Sequence, residues 1–87
     1  MTPPPIPEDK RDIMREVALT YRRVRRANVA AGMTIQDAHR LATDACIAAY
    51  QRLDASAPRV EASGMALLML ANAIHADIAW FWDGPDA

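Results

Sequence analysis

Cysteine and lysine are almost missing from this 87-residue chain, with one residue of each. The lone Cys46 excludes an internal disulfide framework and leaves the redox compartment undefined. The opening MTPPPIPEDK has neither the basic start nor the apolar run of a secretory signal. No alternation of period two marks a strand, and no repeat or low-complexity tract follows the proline lead. An excess of one charge is also lacking. Ten basic against eleven acidic side chains give −1, so no overall field recruits nucleic acid or a membrane surface. There is no glycine-rich phosphate loop, Cys-x-x-Cys, His-Glu-x-x-His, nucleophile elbow or paired-carboxylate cleft, and an enzyme, a metal or a cofactor is not expected.

What is present is apolar. Hydrophobic residues make up 52% of the chain, which excludes disorder. They peak in MALLMLANAIHADIAWFW, residues 65–82, where only Asn72, His75 and Asp77 interrupt. A helix that is apolar all round must be enclosed on all sides. In so short a chain that implies a helix sunk in a bundle or covered by a second copy. The three polar residues fall where a membrane span would tolerate them least, and no basic cluster flanks the run, so a span is not expected. Nine arginines to one lysine with eighteen alanines look like GC-rich coding. A cytoplasmic protein of a bacterium or a phage-infected cell is the expectation.

Periodicity predicts an all-α fold, a three-helix bundle whose apolar C-terminal helix dimerises. Prolines 3, 4, 5 and 7 make residues 1–7 an extended lead-in, and residues 8–87 form a single helical domain. The first helix begins near Glu8, with Ile13, Val17, Tyr21, Val24, Asn28 and Ala31 on one face, and ends at Gly32 as a C′ glycine. Thr34-Ile35-Gln36-Asp37 has capping-box spacing and opens the second helix. Its expected buried stripe is Ile35, Ala38, Ala42, Ala45, Cys46, Ala49 and Leu53, whose four alanines admit a close neighbour. The third helix starts near Pro58 or only after Ser63-Gly64. It continues to Trp82, where Asp83-Gly84-Pro85 stops it.

Candidate functional residues fall into two groups. Arg11, Arg15, Arg22 and Arg26, with Arg25 at the edge and Leu19 within the row, share a face of the first helix. Residues 1–32 carry seven basic and four acidic groups (+3). Arginine forks suit carboxylates and phosphates, so this ridge is expected to serve partner recognition and not stability. Leu68, Trp80, Phe81 and Trp82 are expected at a homodimer interface, since tryptophan dominates interface hot spots. His75 is expected to bond Asn28 or Tyr21, or to fix register at that seam. His39 and Cys46 share a face of the second helix but lie about 10 Å apart, too far for proton transfer, and Cys46 reads as core.

The function implied is a small non-enzymatic protein–protein interaction module. Its concrete form is a phage or mobile-element inhibitor of host machinery, as anti-CRISPR proteins are. The alternative is a DNA-binding regulator with a helix-turn-helix-like segment over residues 24–45, where Ala27, Asn28, Gly32, Ala38 and Leu41 track the packing positions. Against it, the reading helix would offer Asp37 and Asp44 to a phosphate backbone.

Overall fold

The computed structural model describes residues 2–84. A single 3-10 turn at Glu8–Lys10 leads into four α-helices: α1 (Arg11–Ala30), α2 (Ile35–Leu53), α3 (Arg59–Ala76) and α4 (Ile78–Asp83). No strand occurs among the described residues. The α1–α2 connection follows from one glycine. Gly32 takes φ 98°, a backbone region that an L side chain resists. Its N–H reaches the Val29 carbonyl, and the Met33 N–H reaches Asn28, the paired bonds of a Schellman stop. Thr34 then caps α2 by accepting from the Asp37 N–H at 3.2 Å.

The two helices lie antiparallel along their whole length. Tyr21 meets His39 near the turn, Val17 meets Cys46 midway, and Lys10 meets Asp54 at the far end. Numbers that rise on one helix while falling on the other define an αα-hairpin. A DNA-reading pair instead crosses at a steep angle and touches only near its turn.

The C-terminal third departs from expectation. In place of one helix to Trp82, α3 stops at Ala76 and α4 begins at Ile78, so the described chain has four helices and not three. Asp77 is the reason. Its backbone is extended (φ −158°, ψ 90°), and its carboxylate accepts from the Trp80 N–H at 2.9 Å. A short acidic side chain competes with the helix for backbone donors and wins as an N-cap. The start of α3 is settled at Arg59, with Pro58 as the residue before it, a place where the missing proline N–H costs nothing. Pro85, expected to help stop the last helix, lies outside the described residues.

The reorientation at Asp77 turns Phe81 inward. It is fully buried beside Val17, Tyr21, Cys46 and Met69, where the helices converge. Asn72 is also explained. Its Nδ2 donates to the Pro4 carbonyl and to Leu68, each at 2.9 Å, which pins the lead-in along α3, and Ile6 packs on the core.

The alanine stripe divides. Ala42 is completely buried, whereas Ala45 is only half-buried, and Ile35 and Leu53, expected in the same stripe, are exposed at the two ends of α2 where no helix covers them. Ala42→Leu should therefore destabilise the fold by about 1–3 kcal/mol through overpacking, and Ala45→Leu should change it less. Thermal melts of the two variants side by side check the order. Cys46 is core, donating to the Val17 carbonyl at 3.2 Å, and burial pushes its thiol up to about 12. At neutral pH it is an un-ionised thiol, a weak nucleophile.

Candidate functional site

The arginine ridge is not one surface. Arg11 and Arg15 remain exposed, on the rim of an open groove of about 350 Å³ with Met14, Ala18, Ala73 and Trp80. Asp12 and Asp77 share that rim, so the groove carries no net charge. Leu19 is half-buried. The other three arginines turn inward onto α4. Arg22 is only 3% exposed, contrary to the open position expected for it. Its guanidinium lies 4.5 Å from the Trp80 ring centre, and Nη1 donates to the Trp80 carbonyl at 2.6 Å. Arg26 donates to the Gly84 carbonyl at 2.9 Å and to that of Trp82. Arg25 stacks over the Trp82 ring at 4.8 Å.

The last carbonyls of a helix lack internal partners and carry partial negative charge. Arg22 and Arg26 supply both the donors and the charge, so these residues dock α4 on α1. Gly84 belongs to the same arrangement: a Cβ there would stand 2.4 Å from the Trp80 carbonyl oxygen and 2.9 Å from Arg22 Nη1.

The aromatic residues expected at a dimer seam are largely consumed by this docking. Phe81 is fully enclosed, stacked on Tyr21 with ring centres 5.6 Å apart. Trp80 is half-buried, and Trp82 meets Phe81 edge-on with 37% of its surface exposed. Leu68 is half-buried. His75 is exposed on α3 and bonds neither expected residue. Tyr21 shares a 2.6 Å hydrogen bond with His39 Nδ1, and Asn28 donates back to Val24 within its own helix. Burial raises the Tyr21 phenol, which keeps it protonated.

At the opposite end of the hairpin sits a compact polar cluster. The single lysine, Lys10, donates to the Tyr50 hydroxyl at 3.1 Å and to Asp54 at 3.0 Å. Tyr50 and Ser56 also donate to Asp54. The Lys10 bond, then those of Ser56 and Tyr50, lower the Asp54 carboxyl from 3.8 to about 2. The Tyr50 and Asp54 bonds likewise raise the Lys10 ammonium. The cluster joins the start of α1 to the end of α2, so it reads as a clasp. A carboxyl whose folded value lies below its unfolded one adds stability above pH 3.8, lost as pH falls toward 2. Asp54→Asn should therefore flatten the loss of stability across that window, as urea titrations at stepped pH would record.

Exposed large apolar side chains also occur singly on α1 and α2 (Val29, Ile35, Leu41, Leu53), but those of α3 fall on one side of their helix. Val60 is 85% exposed, Leu67 49% and Ile78 60%. Gly64 and Ala71 are exposed between them, and Ile74 is half-buried. The spacing 60, 64, 67, 71, 74 alternates four and three residues, which holds one stripe along a helix. Ile78 extends it: an open groove of about 440 Å³ is lined by Pro3, Pro4, Ala71, Ile74, His75 and Ile78. The lead-in held by Asn72 forms one wall. The stripe is hard to see in the sequence because its N-terminal half lies where Pro58 and Ser63-Gly64 offer two helix starts; the four–three alternation is its signal.

Among the described residues, no group of three or more His, Cys, Asp or Glu side chains is placed to hold a metal ion. Nor is any helix among them long and apolar enough to cross a membrane. No protein-family model matches the chain, and neither does any curated protein or solved structure.

Proposed function

We propose that the protein is a non-enzymatic protein–protein interaction module whose contact surface is the apolar stripe of α3 with the adjoining Ile78. The observation that carries this reading is the exposure of Val60, Leu67 and Ile78 along one line, beside a preformed groove. Single exposed apolar side chains are ordinary, but a continuous apolar patch marks an interaction site. The chemistry of the remaining groups supports the same reading. The strongly shifted Asp54 and Lys10 neutralise each other, and the only thiol is sealed in the core. Neither lines the groove beside Arg11 and Arg15 or the groove beside Ile78. The antiparallel hairpin, with Asp37 and Asp44 on the outer face of α2, lends no support to a DNA-reading use.

The test is a double variant, Leu67→Glu with Ile78→Glu, compared with the wild-type chain as an immobilised bait. Both positions are exposed, so circular dichroism and melting temperature should stay close to wild type. Proteins retained by the wild-type chain should be lost from the variant. Equal retention by two equally folded baits would place the contact surface elsewhere.

A further inference from the structure

Resting on that reading of the α3 surface, we infer that residues 2–7 are a removable strap: they mask one flank of the contact surface, and their release widens it. Four of these six residues are proline, and Pro7 has φ −54° and ψ 140°, the polyproline II conformation. Such a segment makes no internal hydrogen bonds. Its hold on the helices is correspondingly slight. The Asn72 amide donating to the Pro4 carbonyl at 2.9 Å is the one hydrogen bond that residues 2–6 make among the described residues. Ile6 and Pro3 are half-buried, and Thr2, Pro4, Pro5 and Pro7 are exposed.

Open space runs along both edges of the strap. Thr2, Pro3 and Pro4 wall the groove that reaches Ile74 and Ile78. Pro5 and Ile6 wall another, of about 290 Å³, that faces Arg11 and Met14 of α1. The segment is therefore laid across the surface, whereas a core element interlocks with its neighbours on every side. The flank beneath it adjoins the stripe. Asn72 follows Ala71 by one residue, which places it about 100° around α3, and Leu68 lies one turn earlier on the same flank. Lifting the strap joins the two grooves and extends the apolar surface from Leu67 and Ile74 across to Met14.

The strap has a fixed end to swing from. The Lys10 N–H bonds the Pro7 carbonyl at 3.0 Å, and the Lys10 ammonium is held by both Tyr50 and Asp54. Release can stop there and leave α1 joined to α2. Proline keeps the cost of changing state low in both directions. Its fixed φ leaves the free segment nearly as extended as the seated one, so little conformational freedom is lost each time the strap closes. A segment with so few contacts belongs to the low-stability end of a fold, where local opening precedes unfolding.

Spin-label relaxation on the full chain provides the test. Thr2→Cys takes the label, because Thr2 is exposed and the native Cys46 is fully buried. Thr2 shares a groove with Ile74 and Ile78, so the label should broaden the methyl signals of both while the strap is seated. Adding Asn72→Ala removes the latch and spares α3, since alanine favours the helix. The open-to-closed ratio should then rise about five-fold, the equivalent of one net hydrogen bond. Ile6→Ser should raise it further, and the two signals should recover in step. Without the label, emission from the uncharged dye Nile red should increase in the order wild type, Asn72→Ala, Ile6→Ser. Melting temperatures should stay within about 8 °C of wild type. No broadening in the labelled Thr2→Cys chain, or broadening that persists in both variants, means that the strap is not seated or not removable. Release that comes only with melting of the helices makes residues 2–7 part of the core. A strap that leaves with no gain in dye emission masks nothing. Each of these results overturns the inference, and none bears on the comparison of Leu67→Glu, Ile78→Glu and wild-type baits, which judges the contact surface itself.

Discussion

Arg22→Ala should destabilise the protein by about 3 kcal/mol, and Arg22→Glu by about 5 kcal/mol or more. The guanidinium is almost wholly enclosed. It donates to the Trp80 carbonyl and covers the Trp80 ring. A hydrogen bond from a charged donor contributes about 1.5–3 kcal/mol, and a desolvated cation–ring contact about 2 kcal/mol. Alanine forfeits both and leaves a void. Glutamate adds a buried carboxylate facing the negative end of α4, where charge of that sign is unfavourable. A small domain has about 5–15 kcal/mol in total, so the glutamate variant approaches the limit of folding. Urea denaturation followed by tryptophan fluorescence is the measurement, since both tryptophans sit on α4. Arg15→Glu, on the exposed rim, is the control and should shift stability by no more than about 0.5 kcal/mol. A loss below about 1 kcal/mol for Arg22→Ala would mean that α4 is held by its aromatic residues and by Arg25 and Arg26 without Arg22.

Phe81→Ala should cost about 3–5 kcal/mol, the range for truncating a buried aromatic side chain. Phe81 has no exposed surface. Its ring stacks on Tyr21 and meets Trp82 edge-on at 4.8 Å, contacts that add to simple burial. The consequence is concentrated, because α4 has six residues and cannot persist in isolation. Losing Phe81 removes the one α4 side chain in the core, so the segment after Asp77 should detach before the hairpin unfolds. Near-ultraviolet circular dichroism from the tryptophans should therefore collapse at lower urea than the far-ultraviolet helix signal. The loss should be independent of protein concentration, because Phe81 packs within its own chain. A dependence on concentration would restore it to a dimer seam.

Much of the architecture is written in local chemistry. Gly32 followed by Met33 and Thr34 specifies both the stop of α1 and the start of α2, since a left-handed glycine and a capping hydroxyl each need only neighbours within four residues. Pro58 stands at the start of α3, but Ser63-Gly64 offered a second start that local chemistry did not exclude. Asp77 carried an equally local signal that was overridden by the hydrophobicity around it. The long apolar run reads as a continuous helix until the aspartate is recognised as an N-cap, and that one residue converts three helices into four.

The arginines show the other limit. Arg22, Arg25 and Arg26 follow the same periodicity as Arg11 and Arg15, and nothing within a turn of each distinguishes them. The sequence by itself determined the helical class, the Gly32 turn and the inward placing of Ala38, Ala42, Cys46 and Ala49, because those depend on backbone conformation and period. Only the tertiary structure decided which arginines meet solvent and which close over α4, because the carbonyls they satisfy lie 58 and 56 residues away. The same holds for the apolar surplus of the last third. Periodicity shows that α3 has more apolar surface than one neighbour can cover. Which strip stays open is set by where α1, α2 and the Asn72-held lead-in come to rest, and that leaves Val60, Leu67 and Ile78 outermost.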